Sequence, residues 1–74
     1  MNYVISTDIR GFSYWIKTEY ILNREGVANP KHINFYFTGL KNNATEFKDY
    51  QLAEKHRILI QPKTKNNLTV VESR

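Results

Sequence analysis

The chain contains no cysteine, which removes disulfides, thiolate chemistry and cysteine-ligated zinc together. Its two histidines, His32 and His56, are distant and no acidic triplet accompanies them, so no usual metal-ligand spacing is present. Three glycines occur, Gly11, Gly26 and Gly39, too far apart to form a phosphate-cradling loop. No metal and no cofactor are therefore expected. No apolar run approaches the roughly 20 residues of a membrane span, and the beginning of the chain lacks the basic-then-apolar pattern of a secretory signal. These absences predict a soluble cytoplasmic protein with no membrane association.

Seventy-four residues permit one domain, residues 1–74. A chain of this size buries only about 60–65% of the surface its unfolded form exposes, so each large apolar residue carries weight. One Trp, five Tyr and four Phe supply much of that area. Eleven Lys and Arg against seven Asp and Glu give a net charge of +4, a modest excess that favours anionic partners. The Asn-, Lys- and Tyr-rich composition suits an AT-rich genome, phage or otherwise.

Two turn signatures bracket one alternating segment. Asp8-Ile9-Arg10-Gly11 and Asn23-Arg24-Glu25-Gly26 each place Asp or Asn first and Gly fourth, as a type I turn prefers. Between them Phe12, Tyr14, Ile16, Thr18, Tyr20 and Leu22 fall at every second position, the period of a strand. A helix over 8–24 is the rival, since Ile9, Phe12, Ile16 and Tyr20 also fit a helical stripe. The strand is preferred because β-branched and aromatic residues dominate, Gly11 would sit inside the helix, and no capping box precedes it. A first strand over 2–6 and a third over 32–38 complete a meander. Pro30 makes residues 27–31 irregular or a strand edge.

Helix formers over 45–55, with Glu46 early and Lys55 and His56 at the end, predict one short helix. Alternation around Ile58 and Ile60, and again around Leu68 and Val70, predicts strands over 57–61 and 68–72, joined through 62–67 as a loose hairpin. The expected fold is α+β and β-rich: a five-stranded antiparallel sheet or partly open barrel, β-β-β-α-β-β. That order matches an OB-fold, and an SH3-like barrel reads almost the same.

If Phe12, Tyr14, Ile16, Ile33, Phe35 and Phe37 build the core, the opposite face presents Trp15, Lys17, His32, Asn34 and Tyr36. Trp15 and Tyr36 come within cross-strand or diagonal reach, with Lys17 near His32. Aromatic rings beside cations stack unpaired bases and neutralise phosphates, though covering by the helix would give the same rings a structural role. Arg57, Lys41, Lys63 and Lys65, the last two in a flexible Asn- and Thr-rich loop, could track a phosphate backbone.

His56 with Glu54, Lys55 and Arg57 could supply the base, acid and cations of a metal-independent ribonuclease. A histidine at a helix C-terminus more commonly partners the helix dipole. The beginning of the chain and Arg57-Ile58-Leu59-Ile60 resemble RelE-type ribosome-dependent toxins, but the β-rich middle leaves no room for that family's paired helices, and no residue role is carried over.

The leading expectation is a non-enzymatic nucleic-acid-binding module. Its alternative is a protein-interaction or inhibitor module, of the kind mobile elements encode, that docks on a larger nucleic-acid-handling protein. Edge strands invite pairing, so a homodimer through strand one or strand five is a further expectation.

Overall fold

The computed structural model describes residues 1–22, 25, 26 and 28–73. Its central strand is β2, Phe12–Leu22, with the bounds the alternation predicts. β1, Tyr3–Ile9, runs antiparallel to it, pairing Ile9 with Phe12 and Asp8 with Ser13. The connection is the two-residue turn Arg10-Gly11, with φ of 53° and 85°. Two successive positive φ values mark a type I′ hairpin, whose twist matches that of paired strands. The turn therefore lies one residue later than the expected type I turn on 8–11, and Asp8 instead accepts a hydrogen bond from the Ser13 hydroxyl across the ladder (3.1 Å).

β3, Ala28–Thr38, pairs antiparallel with β2. It starts earlier than the expected 32–38, and Asn29 and Pro30 belong to an outer strand of the sheet, the strand-edge alternative and not the irregular one. The second turn signature rests on Asn23 and Arg24, which lie outside the described residues; Gly26 has φ 77°.

The β1–β2 ladder stops at Ser6↔Trp15. Beyond it, residues 44–47 enter between the two strands. The Thr45 amide donates to the Ile16 carbonyl (3.1 Å), and the Thr18 amide donates to Thr45 Oγ1 (2.8 Å). Tyr3 and Phe47 exchange two backbone hydrogen bonds of 2.8 Å. Residues 45–47, expected as the first turn of the helix, are thus a wedge of extended chain that bonds to β2 on one side and β1 on the other.

The helix α1 is Tyr50–Ile60. It begins where the Asp49 carboxylate accepts from the Leu52 amide (2.7 Å), satisfying one of the amides a helix N-terminus leaves without a partner. Ala53, His56 and Ile60 are its buried residues, spaced three and four apart as one helical stripe. This corrects the expected strand over 57–61: Ile58 is exposed and Ile60 is buried because they lie on different helical faces. Pro62 then falls inside a short 3-10 turn, Gln61–Lys63.

The last strand, β4, is Thr69–Glu72, antiparallel to β1. The result is α+β, with a four-stranded open antiparallel sheet in the order β3-β2-β1-β4. The expected fourth strand, 57–61, is the end of α1 and the expected fifth is β4, so the described strands do not make the five-stranded OB- or SH3-like barrel. Strand one is interior, which removes it as a pairing edge.

The helix covers one face of the sheet. Ile5 and Ile16 meet Ala53 and Ile60 there, with Phe47 from the wedge and Leu68 from the approach to β4. Phe35 and Phe37 pack against this cluster. Each fully buried large side chain stabilises by roughly 1.5–3 kcal/mol relative to exposure. Phe12 departs from expectation: it alternates onto the core side but is 67% exposed at the hairpin end of β2. Among the described residues no helix is long and apolar enough to cross a membrane.

Candidate functional site

Pleating decides which residues share the face away from α1. Since Ile16 lies in the core, Trp15 and Lys17 point the other way. The register places Lys17 directly opposite Tyr36, Trp15 opposite Thr38, and Glu19 opposite Asn34. Trp15 and Tyr36 are therefore diagonal neighbours, as expected, within reach of large side chains. Tyr36 is 49% exposed, and Trp15 and Lys17 are half-buried. Trp15 is not beneath the helix. Val4, on this same face by alternation and paired with Val71, is fully buried, so the face has an apolar floor as well as polar groups.

The sheet adds residues that sequence reading missed. Trp15 is flanked by Thr38 on β3 and Ser6 on β1, and Ser6 pairs in turn with Thr69 on β4. A row of three hydroxyl residues thus crosses the sheet through the indole position. Nothing in local sequence announces it, because each member lies on a different strand; only the register aligns them. Ser6, Asp8, Thr69 and Val71 also line an open groove with Lys65 and Asn67.

Lys65 therefore borders the Trp15 face. Its loop is less loose than expected. The Gln61 side-chain nitrogen Nε2 donates to the Asn66 carbonyl (2.8 Å) while Gln61 Oε1 accepts from the Leu68 amide (3.0 Å). The buried Thr7 hydroxyl donates to the Asn67 carbonyl (2.8 Å). One glutamine and one threonine hold the segment that carries Lys65, which joins a helix to β4 and is not a hairpin.

Other expected site residues stand elsewhere. His32 belongs to β3, four residues before Tyr36, so the register does not bring it beside Lys17; its side chain lies outside the described ones. Arg57 is on α1, on the opposite side of the sheet, paired with Glu54 through Nε (2.8 Å) and Nη2. That hydrogen bond is the main cause of a Glu54 pKa below its ordinary value and an Arg57 pKa above its own. Lys63 is exposed on the turn that continues α1, and Lys41 is half-buried in the 3-10 turn Lys41–Asn43.

The four residues weighed for acid–base chemistry separate along the helix. His56 is buried, its ring centroid 4.7 Å from that of Phe47, and its Nδ1 donates to the Leu52 carbonyl (2.8 Å). Tyr50, at the start of the same helix, packs edge-on against Tyr3 at 5.8 Å. Glu54 and Arg57 face solvent as an ion pair, and Lys55 is exposed. Among the described residues no group of three or more carboxylates or histidines is placed to hold a metal ion. Compared with known proteins, the chain matches no family model, no curated protein and no solved structure.

Proposed function

We propose that this chain is a non-enzymatic binding module acting in the cytoplasm, and that the sheet face opposite α1 engages single-stranded nucleic acid. The observation that carries the reading is the pair Lys17↔Tyr36 with Trp15 diagonal to it, on a face the helix leaves open. Rings of this kind stack on bases of any sequence, and a neighbouring ammonium meets the phosphate. The hydroxyl row through Ser6, Thr38 and Thr69 offers donors and acceptors to sugar and base edges. Net charge +4 draws an anionic chain toward the surface.

The test uses the chain's single tryptophan. Titrating a short single-stranded oligonucleotide at low salt should quench Trp15 emission, and Tyr36→Ala should weaken binding roughly tenfold, the size of one lost stacking contact. An emission spectrum that does not change, with no binding by anisotropy of a labelled oligonucleotide, defeats the reading.

A second reading has its own observation. Asp8 and Glu19 share the face with Lys17, and mixed charge around exposed aromatics also suits a protein surface. On that reading the module is an inhibitor, of phage or mobile-element type, docked by the same residues onto a nucleic-acid-handling protein.

A further inference from the structure

β3 is an outer strand, and the hydrogen bonds of its neighbour fix which of its backbone groups face outward. On β2, the Ile16 carbonyl and the Thr18 amide bond to Thr45, on the side away from β3. Residues 16 and 18 therefore form non-hydrogen-bonded pairs with their β3 partners, Phe37 and Phe35. In an antiparallel ladder both members of such a pair turn their N–H and C=O groups away from each other. By alternation the amides and carbonyls of Ile33, Phe35 and Phe37 point out of the sheet along its open edge.

Pro30 and Lys31 stand in the first part of β3, and the rest of the edge, residues 32–38, carries none of the devices by which sheets discourage pairing. Residues 32–38, His-Ile-Asn-Phe-Tyr-Phe-Thr, include no Lys, Arg, Asp, Glu or Pro. From Ile33 to Thr38 the strand keeps unbroken register with β2, the irregularity lying at Tyr20/Leu22. Protected edges are short, charged, bulged or interrupted by proline. The opposite edge, β4, is protected in this sense: four residues long, with Glu72 at its end.

We propose that β3 pairs antiparallel with β3 of a second copy, joining two sheets into one of eight strands. The outward groups dictate the parity. Odd-numbered residues oppose odd-numbered ones, so with Phe35 opposite Phe35 of the other copy, Ile33 opposes Phe37. The two-fold axis is then perpendicular to the sheet, and both helices lie on the same side. The apolar faces become continuous, and the two Trp15–Lys17–Tyr36 faces become one surface on the other side. A second copy suits this strand because the same residues donate and accept on both sides. It also brings no charged residue opposite a like charge, despite the +4 of each chain. The inference is independent of what the sheet face binds.

The experiment has two parts. Sedimentation across a wide concentration range should show conversion from monomer to twice the monomer mass. Over the same range, amide exchange followed by NMR should show protection of Ile33, Phe35 and Phe37 rising together with the dimer fraction. Asn34→Lys and Asn34→Glu, at an exposed position diagonal to its copy, should each weaken the dimer roughly fivefold with the helical and sheet circular dichroism retained, and mixing the two variants should restore it. A chain that stays monomeric at millimolar concentration overturns the proposal. So does a dimer in which those three amides exchange as fast as in the monomer.

Discussion

Thr45 is a small residue in an unusual position, with one hydroxyl oxygen accepting both donors of a single β2 residue. Thr45 Oγ1 accepts from the Thr18 amide (2.8 Å) and from the Thr18 hydroxyl (3.1 Å), and Thr18 is buried. Replacing it with the isosteric Val keeps the volume and removes the acceptor. Thr45→Val should cost about 1–3 kcal/mol, the penalty of a buried donor left unmade, measured by urea denaturation; Thr45→Ser should recover most of it. The Glu54–Arg57 pair gives a contrasting case on the surface. Because Arg57 holds the Glu54 carboxyl below its ordinary value, the pair contributes stability above the usual carboxylate range and loses it as pH falls through the lowered value. Glu54→Gln should therefore flatten the acid limb of the stability curve, read as thermal midpoints from neutral pH downward, by a small amount typical of exposed pairs.

Among the elements, the β1–β2 hairpin depends on backbone sign. At Gly11 an added Cβ would meet nothing within 4 Å, yet φ is +85°. Gly11→Ala should therefore destabilise through conformation alone, by about 1–2 kcal/mol, with a native dichroism spectrum and a lowered urea midpoint. The same hairpin shows what can be read in advance. The alternation from Phe12 to Leu22 gives the strand and the side on which Trp15 lies, because from Trp15 to Glu19 side-chain period and burial agree. The region after Gly39 is not legible in that way. Residues 45–47 lead into a run rich in helix formers, but Thr45 and Phe47 find backbone partners on β2 and β1, and such distant bonds leave no local trace. At 57–60 the alternation of Ile58 and Ile60 imitates a strand over too short a run. The deciding stripe, Ala53-His56-Ile60 behind the Asp49 cap, is longer and has the helical period. Of the site, Trp15, Lys17 and Tyr36 were accessible from alternation. The hydroxyl row and the Lys65 margin needed the strand order.

At the scale of the molecule, charge is distributed unevenly relative to the proposed face. Arg57 is committed to Glu54, and Lys63 follows the helix on the turn that continues it. Lys17 and the bordering Lys65 are the expected site lysines that the structure brings to the open face. Binding of a single strand should therefore depend mildly on salt, with a slope of log K against log salt of roughly −1 to −2. Anisotropy titrations at several ionic strengths measure it; a slope many times steeper would place the contact surface elsewhere. The wedge has a consequence for synthesis. A nascent chain whose first 40 residues have left the ribosome holds the whole three-stranded meander, yet lacks the segment that ties Tyr3 and Thr18 into the same layer. The meander alone is an incomplete fold, and its first two strands gain the chain that bridges them only once the polypeptide has grown past Phe47.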